Sequence, residues 1–352
     1  MRIQRKAKPR NSLRKFLTVA AVFAGLISLS PVLFAQTPSH FLSFDAPSGG
    51  TSSGQGTFPD SINRQGWIGG TVILSSGVKQ GFLREPNGSF LSVLPPGAAQ
   101  SFLTAVNSSH ESAGFFYGTS ATYGFLRDAA GNFTQLGASG SNTTIAEGLN
   151  DNGVVTGFET DSTGNHGFLW DAKHGFTIFD VPGAAPGTTI AIAINNSNVV
   201  TGFYYDTNSY SHGFFRSANG HFVTFDGVQG GPRTSPLAIN SSGAITGWGD
   251  DGLGGIDGFL RIPGGADALF GVAGAQGSQG NAINDSGVIV GYEFSDGGGD
   301  EGFERDTSGS INLIALPFTN TFSDATGIND AGQVIGYYTD NAGVNHGWVG
   351  VP

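Results

Sequence analysis

Acidic and imidazole side chains recur at a near-fixed offset along this chain. Asp161, Asp206 and Asp340 are each followed, five or six residues later, by His166, His212 and His346. Asp250 with Asp251, and Asp296 with Asp300, occupy matching stretches. Carboxylates in a glycine-rich loop are ligands that a hard cation takes, and 296–300 (Asp-Gly-Gly-Gly-Asp) is the best candidate for Ca²⁺. The competing role is structural: each Asp accepts backbone N–H groups in a tight turn, and the His packs at the rim. Repetition favours the turn, since a function needs a site once whereas a fold needs its turns in every unit. Apart from Ca²⁺ no cofactor is implied.

Other chemistry is scarce. Gly50-Thr51-Ser52-Ser53-Gly54 matches the serine-hydrolase elbow formally, but the strand–turn–helix context that motif needs is missing. There is no phosphate-binding loop, dinucleotide fingerprint or zinc-protease helix motif. With no Cys, disulfides and thiolate metal sites are excluded. Paired carboxylates for acid–base work are available, because Asp and Glu are abundant, but nothing in the sequence singles out a pair.

The elements that must position these residues are repeats. An Asn after an apolar residue stands at Asn63, Asn107, Asn150, Asn195, Asn240, Asn284 and Asn329, spaced by 44, 43, 45, 45, 44 and 45 residues. Seven residues after each lies a Gly, from Gly70 to Gly336. Seventeen or eighteen after each lies Gly-aromatic, from Gly81-Phe82 to Gly347-Trp348. Within a unit, four β-rich runs are separated by Gly/Asn/Asp/Ser turns. In the fourth unit they are expected near Ile190–Asn195, Val199–Tyr205, His212–Ser217 and His221–Asp226, strands a to d. Short links make neighbours antiparallel.

Four strands in about 44 residues is the size of a propeller blade. The expectation is therefore all-β: a seven-bladed β-propeller of four-stranded antiparallel blades. The last unit ends before its strand d, while His40-Phe41-Leu42-Ser43-Phe44-Asp45 matches His221–Asp226, so the N-terminal strand should close the last blade. The anchor Asn should hold the a–b turn through the backbone two residues on. The strand-b Gly should let an aromatic lie on the backbone, and the strand-c Phe or Trp should form the core between blades.

The first 35 residues differ: seven basic residues precede an apolar run from Phe16 to Ile27, then Ser28, Ser30, Pro31 and Ala35. This is the order of a secretory signal peptide cleaved near Ala35, leaving 36–352 as one propeller domain and no stable membrane insertion. The alternative is a retained anchor. Loss of the leader leaves nine Lys+Arg against 27 Asp+Glu, a net charge near −18 instead of −11. Such a surface repels phosphate backbones, so nucleic acid is not an expected partner.

His166-Gly167-Phe168, His212-Gly213-Phe214 and His346-Gly347-Trp348 resemble the extracellular HAF repeats of bacteria, with Gly where that signature has Ala. Four units replace the His by Gln80, Tyr123, Asp257 and Glu301. The resemblance implies a secreted bacterial repeat protein and carries no defined activity.

The longer, varied b–c and d–a loops share one end of the blades, and binding belongs there. The ligand-face candidates are Tyr204, Tyr205, Tyr210, Asp161, Asp206, Asp250 and Asp340, with Phe318 as a further loop aromatic. The function expected is a secreted, monomeric binding or scaffold module for an extracellular glycan or protein, without catalysis. One alternative is a hydrolase or lyase acting on a polymer at the central channel mouth, which convergent, non-repeating polar residues there would favour. The other is a structural cell-surface component.

Overall fold

The computed structural model describes residues 38–227, 231, 233–265, 267–295 and 299–352. The signal-peptide segment 1–35 and Asp296 lie outside the described residues. Among the described residues there are 28 strands and no helix. The fourth unit has strands at Ile190–Ile194, Val200–Tyr205, Ser211–Arg216 and Phe222–Phe225, each within a residue or two of expectation. All neighbours within it pair antiparallel.

The first three units, the fifth and the sixth repeat this a–b–c–d order, and the seventh has strands a to c. The strand His40–Phe44 pairs antiparallel with Asn345–Val351, the last strand of the seventh unit, in the register His40↔Val351 to Phe44↔Gly347. The hydrogen-bonded sheets number five: three of four strands and two of eight. The eight-stranded sheets arise because neighbouring units touch through one parallel residue pair, Gly56↔Asn345 in one and Thr143↔Thr122 in the other. Isolated bridges of the same kind join Asn165 to Thr188 and Ser211 to Arg233.

The core lies between units. Phe82, Phe125, Phe168, Phe214, Phe259, Phe303 and Trp348, one from each strand c, are at most 3% exposed. Phe214 touches Phe222 of its own unit at 6.1 Å and Phe179 of the preceding unit at 6.3 Å, as edge or tilted ring pairs. Arg216 lays its guanidinium over Phe179 at 5.1 Å, sealing the joint with a cation–π contact.

The anchor asparagines do more than turn the chain. Oδ1 of Asn195 accepts from the N–H groups of Ser197 and Val199, as expected of an Asx turn. Its Nδ2 donates to the carbonyl of Asn240 in the next unit at 3.0 Å. The same donation runs Asn63 to Asn107, Asn107 to Asn150, Asn150 to Asn195, Asn240 to Asn284 and Asn284 to Asn329, at 2.8–3.3 Å. Asn329 then donates to the carbonyl of Asn63 at 2.9 Å, joining last unit to first. All seven side chains are buried.

Candidate functional site

Each strand a carries one β-bulge, three residues before its anchor Asn. The register shifts at Asp60, Thr104, Glu147, Ile192, Leu237, Asn281 and Thr326. A bulge re-aims its extra residue out of the ladder. These seven side chains come from seven different units, yet all line a single cavity of about 230 Å³ between the a strands. The anchor asparagines ring a second cavity, about 250 Å³, at one end of that bore.

The strand-b glycines make the bulge feasible. A Cβ on Gly202 would run into the carbonyl of Ile190 and Cα of Ala191, the backbone beside the bulge at Ile192. The same strand-a carbonyl contact is found at all seven positions, including Gly70 against Phe58 and Gly336 against Asp324. The expected aromatic contact occurs at Gly70, Gly247 and Gly336 in addition, but the constraint common to all is backbone.

Next to each of these glycines, strands a and b place a cross-strand pair. The pairs are Phe58–Thr71, Phe102–Phe115, Ile145–Phe158, Ile190–Phe203, Ser235–Trp248, Gln279–Tyr292 and Asp324–Tyr337. Six units put an aromatic ring on strand b, and the first unit puts Thr71 there. A cavity of about 450 Å³ opens at that position, lined by Thr71, Phe58, Phe102, Phe115, Lys79, Asp60 and Glu147 among others. Phe102 stacks on Phe115 at 4.5 Å, and Phe58 leans on Tyr337 at 5.1 Å. The Lys79 ammonium lies 5.4 Å from the Phe102 ring centre.

Two carboxyl groups that line the bore, Asp60 and Glu147, and the buried Asp324 hold protons more tightly than usual. Enclosure by protein, then the charges of Glu147 and Asp324, raise Asp60 to about 8. The Asp60 side chain is itself exposed to the space between the a strands, where the two neighbouring carboxylates act on it. Enclosure alone raises Glu147 to about 7. Burial raises Asp324 to about 7, against the bond that Asn281 Nδ2 donates to its Oδ1 at 2.8 Å. Tyr337 and Tyr292 are pushed up by burial and then by Asp324. Such groups hold protons near neutrality and can give or take them.

The residues expected on the loop face lie away from this cavity. Oδ1 of Asp206 accepts from the N–H groups of Asn208 and Tyr210, and Oδ1 of Asp340 from those of Ala342 and Val344. Asp161 bonds Thr163 in the same way. These turns hold all three carboxyls below their usual range. Each neighbouring His pairs with a second carboxylate at the end of a strand d: His166 with Asp180, His212 with Asp226 and His346 with Asp45.

Three loop-face candidates are packed against neighbouring side chains. Tyr204 is 9% exposed and stacks on His212 at 5.2 Å, so it packs the rim. Asp250 is 4% exposed and held by the Arg233 guanidinium at 2.6 Å. Phe318 stacks on Tyr338 at 5.1 Å. Tyr205 and Tyr210 are exposed. Oδ1 of Asp300 accepts the Ser295 N–H at 3.2 Å. Among the described residues no group of three or more His, Asp or Glu has metal-holding geometry.

The bore residues differ between units, so the repeat pattern does not mark them. Asp60 and Glu147 stand at the same repeat position as Ile192 and Leu237, and that contrast was available from the aligned units. Thr71 interrupting a column of aromatics was legible in the same way.

No family model and no curated protein matches the chain. Among solved structures it is similar to a streptogramin B lyase, at 13% identity and TM-score 0.59, over 89% of this chain and 98% of that one. A virginiamycin B lyase from Staphylococcus aureus with quinupristin gives 14% and 0.58, over 89% and 99%. A lectin from Burkholderia pseudomallei gives 13% and 0.51, over 83% and 94%. At these identities the likeness concerns fold alone: the chain has an all-β, propeller-like architecture.

Proposed function

We propose that the chain is a secreted propeller that binds a carbohydrate segment in the cavity beside Thr71. In this reading the units form a seven-bladed ring, and the strand His40–Phe44 completes the last blade. The cycle of asparagine bonds and the pairing of that strand with Asn345–Val351 support the ring.

One observation carries the function: the cavity of about 450 Å³ is asymmetric, made where a single unit lacks its ring. Ligand sites are concave, largely aromatic and furnished with a few convergent polar groups. Phe58, Phe102 and Phe115 offer faces for the C–H surface of a sugar, while Asp60, Glu147 and Lys79 offer partners for hydroxyls. That the similar structures include a lectin is consistent with such a role on this fold, though fold alone does not choose among functions.

The test is a glycan array followed by calorimetry on any hit, with Thr71→Phe as the control. That variant gives unit one the aromatic that six other units carry, so it should fold and lose the ligand. Absence of any bound glycan would refute the reading, and so would undiminished binding by Thr71→Phe.

A further inference from the structure

We propose that the Thr71 cavity also hydrolyses the glycosidic bond of the sugar it holds, with Asp60 as proton donor and Glu147 as proton acceptor. This rests on the carbohydrate reading above and goes a step beyond it.

Position is the first support. Asp60 and Glu147 belong to the first and third units, which are separated by the second. Both sit on bulges that turn them into the bore, and both line the cavity with its aromatic walls. Neither is a repeat requirement, because other units build the same bulge with Ile192, Leu237 or Thr326. A fold that tolerates isoleucine at this position does not need a carboxyl group there.

Environment is the second support. Asp324, engaged by Asn281, and the phenols of Tyr337 and Tyr292 face the same region, and Lys79 is directed to Phe102. Among the described residues Asp60 and Glu147 therefore meet no cation within ion-pair distance, and both hold protons near neutrality. Two carboxyl groups in different protonation states are what glycoside hydrolysis uses.

The step balances with water alone. The protonated Asp60 carboxyl gives its proton to the glycosidic oxygen as the anomeric C–O bond breaks. The Glu147 carboxylate takes a proton from water, whose oxygen forms the new bond to the anomeric carbon. The products are a hemiacetal and an alcohol, and proton exchange with channel water resets both groups.

The experiment measures binding and turnover separately. Glycans bound on the array, and a panel of 4-methylumbelliferyl glycosides, are incubated with the protein, and released reducing ends or fluorophore are followed. Turnover is expected for a bound glycan, falling at least about 100-fold in Asp60→Asn and in Glu147→Gln. Asp285→Asn, in the cavity ringed by the anchor asparagines, should leave the rate unchanged. The wild-type pH–rate profile should be a narrow bell, with limbs near the values that enclosure gives Glu147 and Asp60, about 7 and about 8. The profile needs no variant to fold. Binding without turnover overturns the hydrolytic proposal and leaves the binding site standing. Turnover that survives both substitutions overturns the assignment of these residues. No glycan bound at all removes both proposals.

Discussion

Substituting Asn195 tests the asparagine cycle directly. Its side chain makes three bonds at 3.0 Å: one donated to Asn240 of the next unit, two accepted from its own turn. At about 1 kcal/mol net for each bond, Asn195→Ala should cost about 3 kcal/mol. With an unfolding entropy of about 2.1 cal/mol/K per residue over roughly 315 residues, that is a fall in Tm of about 4–5 °C. Asn195→Asp is the sharper variant. It keeps both accepted bonds but turns a carboxylate oxygen toward the Asn240 carbonyl, at a cost of about 1–3 kcal/mol near pH 7. Burial against that carbonyl raises the new carboxyl in the folded state, so the folded protein binds the extra proton. Stability relative to wild type should therefore recover as pH falls, because the protonated acid donates again. Paired melts at pH 7 and pH 4 follow this. An Asn195→Asp protein that matches wild type at pH 7, or a gap that does not narrow at pH 4, refutes the account.

Four further outcomes follow from the geometry. Phe214→Ala removes a fully buried ring between units and should cost about 3–5 kcal/mol in urea unfolding. Gly202→Ala drives a Cβ into the Ile190 carbonyl and should lower Tm by more than Asn195→Ala does, since backbone must move. Removing residues up to Phe44 uncovers the edge of Asn345–Val351, and light scattering should register self-association. Asp60, Glu147 and Asp324 keep protons in the folded state that the unfolded chain releases near pH 4. Their effect is to make stability fall as pH rises from about 4 toward 8, and Asp60→Asn should flatten that slope in a melt series.

The units were legible because turn chemistry and strand pattern repeat. Short Gly/Asn/Asp/Ser turns, β-rich runs and the Gly-aromatic pair locate the fourth unit's strands within a residue or two, and the match of 40–45 to 221–226 locates the strand that meets the C-terminus. Periodicity could not show that the anchor amide reaches into the next unit, because that contact joins residues 43 to 45 apart. Nor could it show the bulge, which leaves no residue signature: Asp, Thr, Glu, Ile, Leu and Asn all occupy it. The loop carboxylates drew attention by recurring, and recurrence marked them as turns. The carboxyls that face the cavity are those in which one unit departs from its siblings.

The asparagine cycle has a sense of direction: six amides donate to the unit that follows, the seventh donates from the last unit to the first, and none meets another head to head. Aligned dipoles of this kind polarise one another. The bond from Asn329 to Asn63 is indistinguishable in length from the other six, so the break between the two ends of the polypeptide leaves no mark on the cycle. Chain termini are then free to migrate. A circular permutant that joins Val351 to His40, partners across the same strand pair, and opens at any c–d turn should assemble the same cycle.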